Sequence, residues 1–271
     1  MNQIKGRFPE APVVLLDSGN FSDNPTAEGD VKTKGLLEGM RRLGYDAVNV
    51  GERDIRMGYP EFARRTEASD FTFLSANIVD RKTKKPIFEP HTVIETTAAD
   101  GEKVKVGVVG MVRYNPVFLK AGPKGGNIVI AHPLERVKAE VEALKKKGVD
   151  VVVVLAAAHK NDAHSIASKV AGIDYVLGSY GGLVTNEPES RGETTILYSG
   201  NRGQRVTETR LFLDGGAIRE RTTKLHMLTR HYPPDLEMLE FVNSVPHKKP
   251  VETKESSSRA RPQGAAVALG R

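Results

Sequence analysis

Between Ala11 and Val79 three short apolar runs alternate with two helix-like stretches. This alternation limits the fold more than any other feature of the chain. "APVVLLDSGN" is a short strand leading into a Gly-Asn turn. "AEGDVKTKGLLEGMRRLGYD" then has Val31, Gly35, Leu36, Met40 and Leu43 near helical spacing, with Gly44 placed to end the helix. "DAVNVG" is the next strand, "PEFARRTEA" a helix with Pro60 in its first turn, and "FTFLSANIV" the third strand. Alternation of this kind predicts parallel neighbouring strands joined by right-handed crossovers.

The pattern then changes. "HTVIETTAADGEKVKVGVVGMV" is two strand-like runs around Asp100-Gly101, a hairpin signal. "PLERVKAEVEALKKKGVD" is a helix with Leu134, Val137, Val141 and Leu144 on one stripe, and it feeds the wholly apolar strand "VDVVVVLAAA". "DAHSIASKVAG" is a further helix, for which Asn161 or Asp162 is the expected cap. Late strands follow in "TTILYSG", "VTETRLFLDGG" and "AIRERTTKLHML", the last two joined at Gly215-Gly216. A final helix, "PDLEMLEFVNSV", precedes the tail. Parallel and antiparallel pairing in one chain predicts an α/β protein of two mixed sheets packed together with helices outside. The folded domain is expected over residues 1–245, and a disordered basic tail over 246–271.

The chain has 40 Lys and Arg against 34 Asp and Glu, a net charge of +6. Beyond Pro246, six basic residues face only Glu252 and Glu255, so most of the excess is in the tail and the body is nearly balanced. No specific nucleic-acid partner is expected from such a body. Cysteine is absent, which excludes disulfides, thiolate metal sites and cysteine nucleophiles. No run approaches a membrane span of roughly 18 apolar residues. Lacking a basic region followed by an apolar core at its start, the sequence predicts a cytoplasmic protein. A periplasmic or extracellular place follows if the true start lies upstream.

Four loops rich in glycine or polar residues share one address, the carboxyl end of a strand: Asp17–Asn20, Gly51–Asp54, Ala156–Asp162 and Gly178–Gly182. Ligands of open α/β sheets bind at such ends, so these loops predict a pocket. "VKVGVVGMV" lacks the glycine spacing and following helix of a dinucleotide loop.

Residues 11–224 resemble the amino-terminal metallophosphoesterase domain of 5'-nucleotidases, in the calcineurin-like superfamily. The phrases that carry the likeness are "LLDSGNFSDNP", "MRRLGYDAVNVGERDIRMGY", "FLSANIV", "VKVGVVGMV", "VDVVVVLAAAHKNDAHSIA", "GIDYVLGSYGG" and "TTILYSGNRGQRVTETRLFLD". The resemblance implies a four-layer αββα sandwich and metal-dependent phosphoester hydrolysis, with two ions that activate a water or hydroxide. It puts the family's metal-bridging Gly-Asp on Gly19-Asn20 and its Gly-Asn-His-Glu on Gly51-Glu52-Arg53-Asp54. The next ligand histidine falls near Ala157, with His159 two residues beyond, and the closing Gly-His-x-His falls on Ser179-Tyr180-Gly181-Gly182. The family's Asp-x-His has no counterpart ahead of Val13.

At the matched positions Glu52 is the one obvious metal ligand, with Asn20 a weak one and His159 a weak candidate two residues beyond its position, and the resemblance thus implies loss of the dinuclear centre. The expected pocket is Asp17, Asn20, Glu52, Arg53, His159 and Tyr180. Within it Glu52 pairs with Arg53, or Arg53 holds a small anionic or phosphate-containing ligand, and Tyr180 fills the vacated hollow. No cofactor is expected, and the role is that of a ligand-binding protein or a partner of another protein. The alternative is a hydrolase with one divalent ion (Mn, Zn or Mg), with Arg53, His159 and Asp162 as catalytic candidates and Glu52 completing the site.

Overall fold

The computed structural model describes residue 6 and residues 9–115, 128–230 and 232–246. The early alternation forms a parallel sheet of β1 (Leu16–Asp17), β2 (Ala47–Asn49) and β3 (Thr72–Leu74), in that order. Helices α1 (Ala27–Leu43) and α2 (Tyr59–Thr66) make the crossovers. Thr26 caps α1 by accepting from the Gly29 N–H, and Gly44 ends it in the left-handed conformation at φ 74°. The buried stripe of α1 runs through Gly29, Thr33, Leu37 and Met40. Leu36, which the helical spacing placed on that stripe, is 46% exposed, because it lies one residue step around the helix from Leu37.

The second sheet has six strands in the order β10 (Glu189–Arg191), β11 (Thr194–Tyr198), β9 (Tyr175–Gly178), β8 (Val151–Ala157), β6 (Lys103–Val112) and β5 (His91–Thr97). Its four inner strands are parallel, and both edge strands run antiparallel to them. Asp100-Gly101 joins β5 to β6 in the expected hairpin. Two smaller antiparallel ladders complete the strands. One pairs β4 (Ile78–Asp80) with β7 (Ile128–Ile130), and the other is the hairpin of β12 (Arg205–Asp214) and β13 (Ala217–Met227). The sequence predicted this second hairpin at Gly215-Gly216.

Three buried clusters define the layers. Leu37 and Met40 of α1 pack on Val48 and Phe71. Between the sheets lie Ala47 and Leu74 from one side and Val106, Val108, Val153 and Leu155 from the other. On the far face, Val137, Val141 and Leu144 of α3 (Pro133–Lys146) and Ile166 of α4 (Lys160–Lys169) meet Val109, Met111, Val152 and Val154. The result is the four-layer αββα sandwich. A last helix, α5 (Leu236–Ser244), capped by Asp235, lies against α1. Among the described residues no helix is long and apolar enough to cross a membrane. The predicted tail, from residue 247 on, lies outside the described residues.

Two asparagines fasten the layers beneath the strand ends. Asn49 Nδ2 donates to the carbonyls of Ser18 (3.0 Å) and Met111 (2.8 Å), one on each sheet. Asn77 accepts from the Val112 N–H at 2.9 Å and donates to the carbonyls of Val112 and Ala131. Such fully buried amides bond backbone groups at the strand termini that would otherwise need another partner.

Candidate functional site

The loops after β1 and β2 are knitted together by one carboxylate. Asp54 is 4% exposed, and its oxygens accept three backbone N–H groups: Asn20 (2.8 Å), Gly51 (2.7 Å) and Ser22 (2.8 Å). Burial raises its pKa and these N–H groups oppose the rise. The chain can make this turn because Gly19 and Asn20 both adopt positive φ, 89° and 65°. A side chain on Gly19 would meet the Asn49 carbonyl at 2.6 Å, so glycine is required there. Asp17 accepts from the Gly19 N–H at 2.7 Å. Its carboxyl is packed in enough that its pKa is pushed up to about 6, mainly by burial and further by the charge of Asp54, against the pull of the Gly19 N–H.

Asn20 does not face outward as a ligand. Its Oδ1 accepts the Arg53 N–H at 3.2 Å. The expected Glu52–Arg53 pair is absent among the described residues: Arg53 is exposed, and Glu52 turns instead to Arg113 at the end of β6. Arg113 Nε lies 3.2 Å from Glu52 Oε1, and its Nη2 donates to Oε2 at 3.3 Å. Adjacent residues in this loop project apart, whereas the two sheet edges bring Glu52 and Arg113 face to face.

The loop after β9 closes the other side. Ser179 Oγ reaches the carbonyls of Ser18 (2.9 Å) and Gly19 (3.1 Å), and Ser18 Oγ donates back to the Leu177 carbonyl. Next along, the Tyr180 ring packs against His159, with centroids 3.7 Å apart, and lies under the Arg113 guanidinium at 5.2 Å. Tyr180 therefore packs between His159, its ring tilted 52° to the imidazole, and Arg113, rather than as a buried plug. It is half-buried, and its hydroxyl makes no hydrogen bond among the described residues.

His159 is exposed and occupies the N-cap position of α4, with no side-chain capping bond. The helix thus starts ahead of both predicted caps. Asn161 and Asp162 fall in its first turn, where the Asp162 carboxylate faces the positive end of the helix dipole.

The structure therefore brings Glu52, Tyr180 and His159 into one chain of contacts through Arg113, and ties Asn20 to Arg53 beside it. Asp17 lies beneath, and Asp162 lies to the side on α4. Sequence reasoning missed Arg113 and the caging role of Asp54. The one signal for Arg113 is a charged residue ending the otherwise apolar run "VGVVGMV".

The donors present do not fit two divalent ions. Asn20 and Asp54 spend their oxygens on backbone N–H groups, Glu52 is held by a cation, and Tyr180 and Gly182 stand where imidazoles would be needed. No group of three or more His, Asp or Glu side chains placed to hold an ion occurs among the described residues.

The fold with loops gathered at one pair of sheet edges is that of the calcineurin-like phosphoesterases. The crystal structure of the calcineurin-like phosphoesterase YfkN from Bacillus subtilis superposes with a TM-score of 0.73 at 18% identity, over 89% of this chain and 85% of that one. No family model matches the sequence. Its homologues are nevertheless named nucleotidases. The 2',3'-cyclic-nucleotide 2'-phosphodiesterase/3'-nucleotidase of Salmonella typhimurium is 26% identical over 185 residues, 60% of this chain and 29% of its own. The 5'-nucleotidase of Bos taurus is 27% identical over 223 residues, 77% of this chain and 37% of its own. The chain thus spans well under half the length of these curated relatives.

Proposed function

We propose that this 5'-nucleotidase-like phosphoesterase fold works without dinuclear metal catalysis, as a binding protein whose strand-end cluster meets a small anionic ligand or a protein partner. One observation carries this reading: the carboxylate at the family's asparagine position, Glu52, is held by the Arg113 guanidinium instead of being open to an ion. Arg53 and His159 are exposed on the loops after β2 and β8, where the one offers an anion a guanidinium and the other an imidazole. Arg53 makes no ion pair among the described residues, so an incoming phosphate or carboxylate does not have to displace an internal partner.

Metal analysis of protein purified with and without added manganese or zinc, together with hydrolysis of nitrophenyl phosphate and nucleoside monophosphates, tests the proposal. The expected result is no stoichiometric metal and turnover at background. Metal-dependent turnover that Glu52→Gln abolishes would assign the chain to the single-ion hydrolases instead. For the anion, added phosphate is expected to raise the melting temperature by mass action, and Arg53→Ala to remove the rise.

A further inference from the structure

A second cluster of titratable side chains lies on the hairpin of β12 and β13. Leu211 of β12 packs between the sheets, so by alternation Glu208 and Arg210 fall on the opposite face of the strand. His226 pairs in register with Val206, which puts it on that same face, diagonal to Glu208. Only 1% of the His226 side chain is exposed, and its Nε2 lies 2.7 Å from Glu208 Oε2. The other carboxylate oxygen accepts from Arg210 Nε at 2.7 Å. Burial works against ionisation of Glu208, yet the bonds from Arg210 and His226 outweigh it and hold the carboxyl below its ordinary range. A carboxylate has no proton to give, so in the neutral ring Nε2 carries the hydrogen and Nδ1 keeps its lone pair. That lone pair meets the Tyr232 hydroxyl at 3.2 Å. The chain after β13 turns back to place this half-buried tyrosine. Its N–H donates to the Thr229 carbonyl at 3.1 Å, and Pro233-Pro234 restrict the backbone that follows.

Two other histidines among the described residues are paired with carboxylates, His91 with Glu140 and His164 with Glu189. Their second nitrogens face the Lys147 ammonium and the Arg191 guanidinium. Of the three, His226 alone presents its second nitrogen to a hydroxyl. A hydroxyl, a base within hydrogen-bond reach and a third group that orients the base are the parts of an activated nucleophile.

We propose that Tyr232 is a covalent acceptor site, which takes an acyl group from an activated ester with His226 as its base and Glu208 as the positioning residue. The phenol oxygen attacks the ester carbonyl carbon while its proton passes to His226 Nδ1. The bond from that carbon to the leaving alkoxide then breaks, and the alkoxide takes the proton from the ring. The products are a Tyr232 ester and the free alcohol. Between the two steps the imidazolium is stabilised by the Glu208 carboxylate. An uncharged acyl donor fits because the guanidinium of the cluster, Arg210, is held on Glu208, whereas a transferring phosphoryl group needs cations around its oxygens. None of these residues belongs to the strand-end cluster.

The test is acetylation of the whole chain by p-nitrophenyl acetate, read tyrosine by tyrosine from peptide masses, from about pH 5 to about pH 10. Tyr59 and Tyr114, each 41% exposed, are the internal standards. Tyr232 is expected to react roughly a hundredfold faster than either, the lower end of what a positioned base contributes. Its rate should rise through the ordinary imidazole range, about 6.5, and then level off, whereas phenols without a base go on gaining towards about pH 10. His226→Gln should bring Tyr232 down to the rate of the standards, and Glu208→Gln should slow it by roughly tenfold.

A Tyr232 that reacts no faster than Tyr59 and Tyr114 would overturn the proposal. So would a rate that climbs without a plateau, or one that either substitution leaves unchanged. Acetyl found on His226 and not on Tyr232 would reduce the hydroxyl to a structural partner of the ring and overturn it as well. Because the plateau is read on the unsubstituted protein, it decides the matter even where a substitution at the buried His226 prevents folding.

Discussion

Asp17 and Asp54 lie on either side of the Gly19-Asn20 turn, and their charges oppose each other across it. Because the Asp17 pKa in the folded protein is about 6 against an ordinary 3.8, the folded state holds its proton more tightly than the unfolded chain does. The stability it contributes is full below about 3.8 and is lost as pH rises through about 6. The gap between the two values corresponds to about 3 kcal/mol. Asp17→Asn keeps an acceptor for the Gly19 N–H and removes the titration. Its stability relative to the unsubstituted protein should therefore improve by about 2.4 kcal/mol between pH 4 and pH 7, read from urea melts at both. A pH-independent difference would mean that the carboxyl is solvated after all. The sequence showed this turn clearly, since Gly-Asn after an apolar run is a local signal. It could not show the Glu52–Arg113 pair, whose members are 61 residues apart and meet only because two sheets end side by side. Nor could it show Tyr180 between His159 and Arg113 rather than in a hollow, because that packing depends on where the α4 N-cap falls.

Elements with strong periodicity were legible, and their edges were less so. The stripe of Val137, Val141 and Leu144 in α3 packs as its spacing predicts, and both glycine-marked hairpins form where expected. The start of α4 was misread because Asn and Asp favour capping, whereas here the turn after Ala158 is set by β8 and His159 takes the cap position without a side-chain bond. Helix α1 presents Gly35 and Gly39 to α5, where Val245 and Phe241 rest, with Arg42 over the Phe241 ring at 4.3 Å. A Cβ on Gly39 would meet only the Phe241 ring, at 3.6 Å, an ordinary contact. Gly39→Ala should therefore stabilise the protein by about 0.5–1 kcal/mol through helix propensity alone. At Gly35 the added Cβ would lie 2.9 Å from Val245 Cγ1, so the terminus of α5 must shift and the gain should be offset. Equal gains at both positions in denaturant melts would show that α5 does not rest in this groove.

At the scale of the whole molecule, β6 is the strand on which both faces of the larger sheet can be compared. Val104, Val106 and Val108 point to the other sheet, while Val109 and Met111 point to the outer helices. In the sequence only Lys103-Val104-Lys105-Val106 alternates; from Gly107 on the strand is buried on both faces and reads as one apolar run. Its two glycines divide in the same way. A Cβ on Gly107 would meet the ends of Leu144 (2.9 Å) and Val149 (3.2 Å), flexible side chains that can turn aside. A Cβ on Gly110 would meet the Leu74 carbonyl carbon and oxygen at 2.6 Å and Asn49 Oδ1 at 2.7 Å, and the backbone there belongs to the other sheet. Gly110 is thus where the two sheets approach too closely for any side chain, directly beneath the strand-end cluster. Overpacking against movable side chains costs about 1 kcal/mol and against fixed backbone about 3 kcal/mol. Gly107→Ala should accordingly lower the unfolding free energy modestly, and Gly110→Ala should lower it by about 3 kcal/mol while loosening the Asn49 bridge between Ser18 and Met111. Equal losses for the two variants in denaturant melts would mean that the sheets part as easily as Leu144 turns, and the rigid frame under the cluster would have to be abandoned.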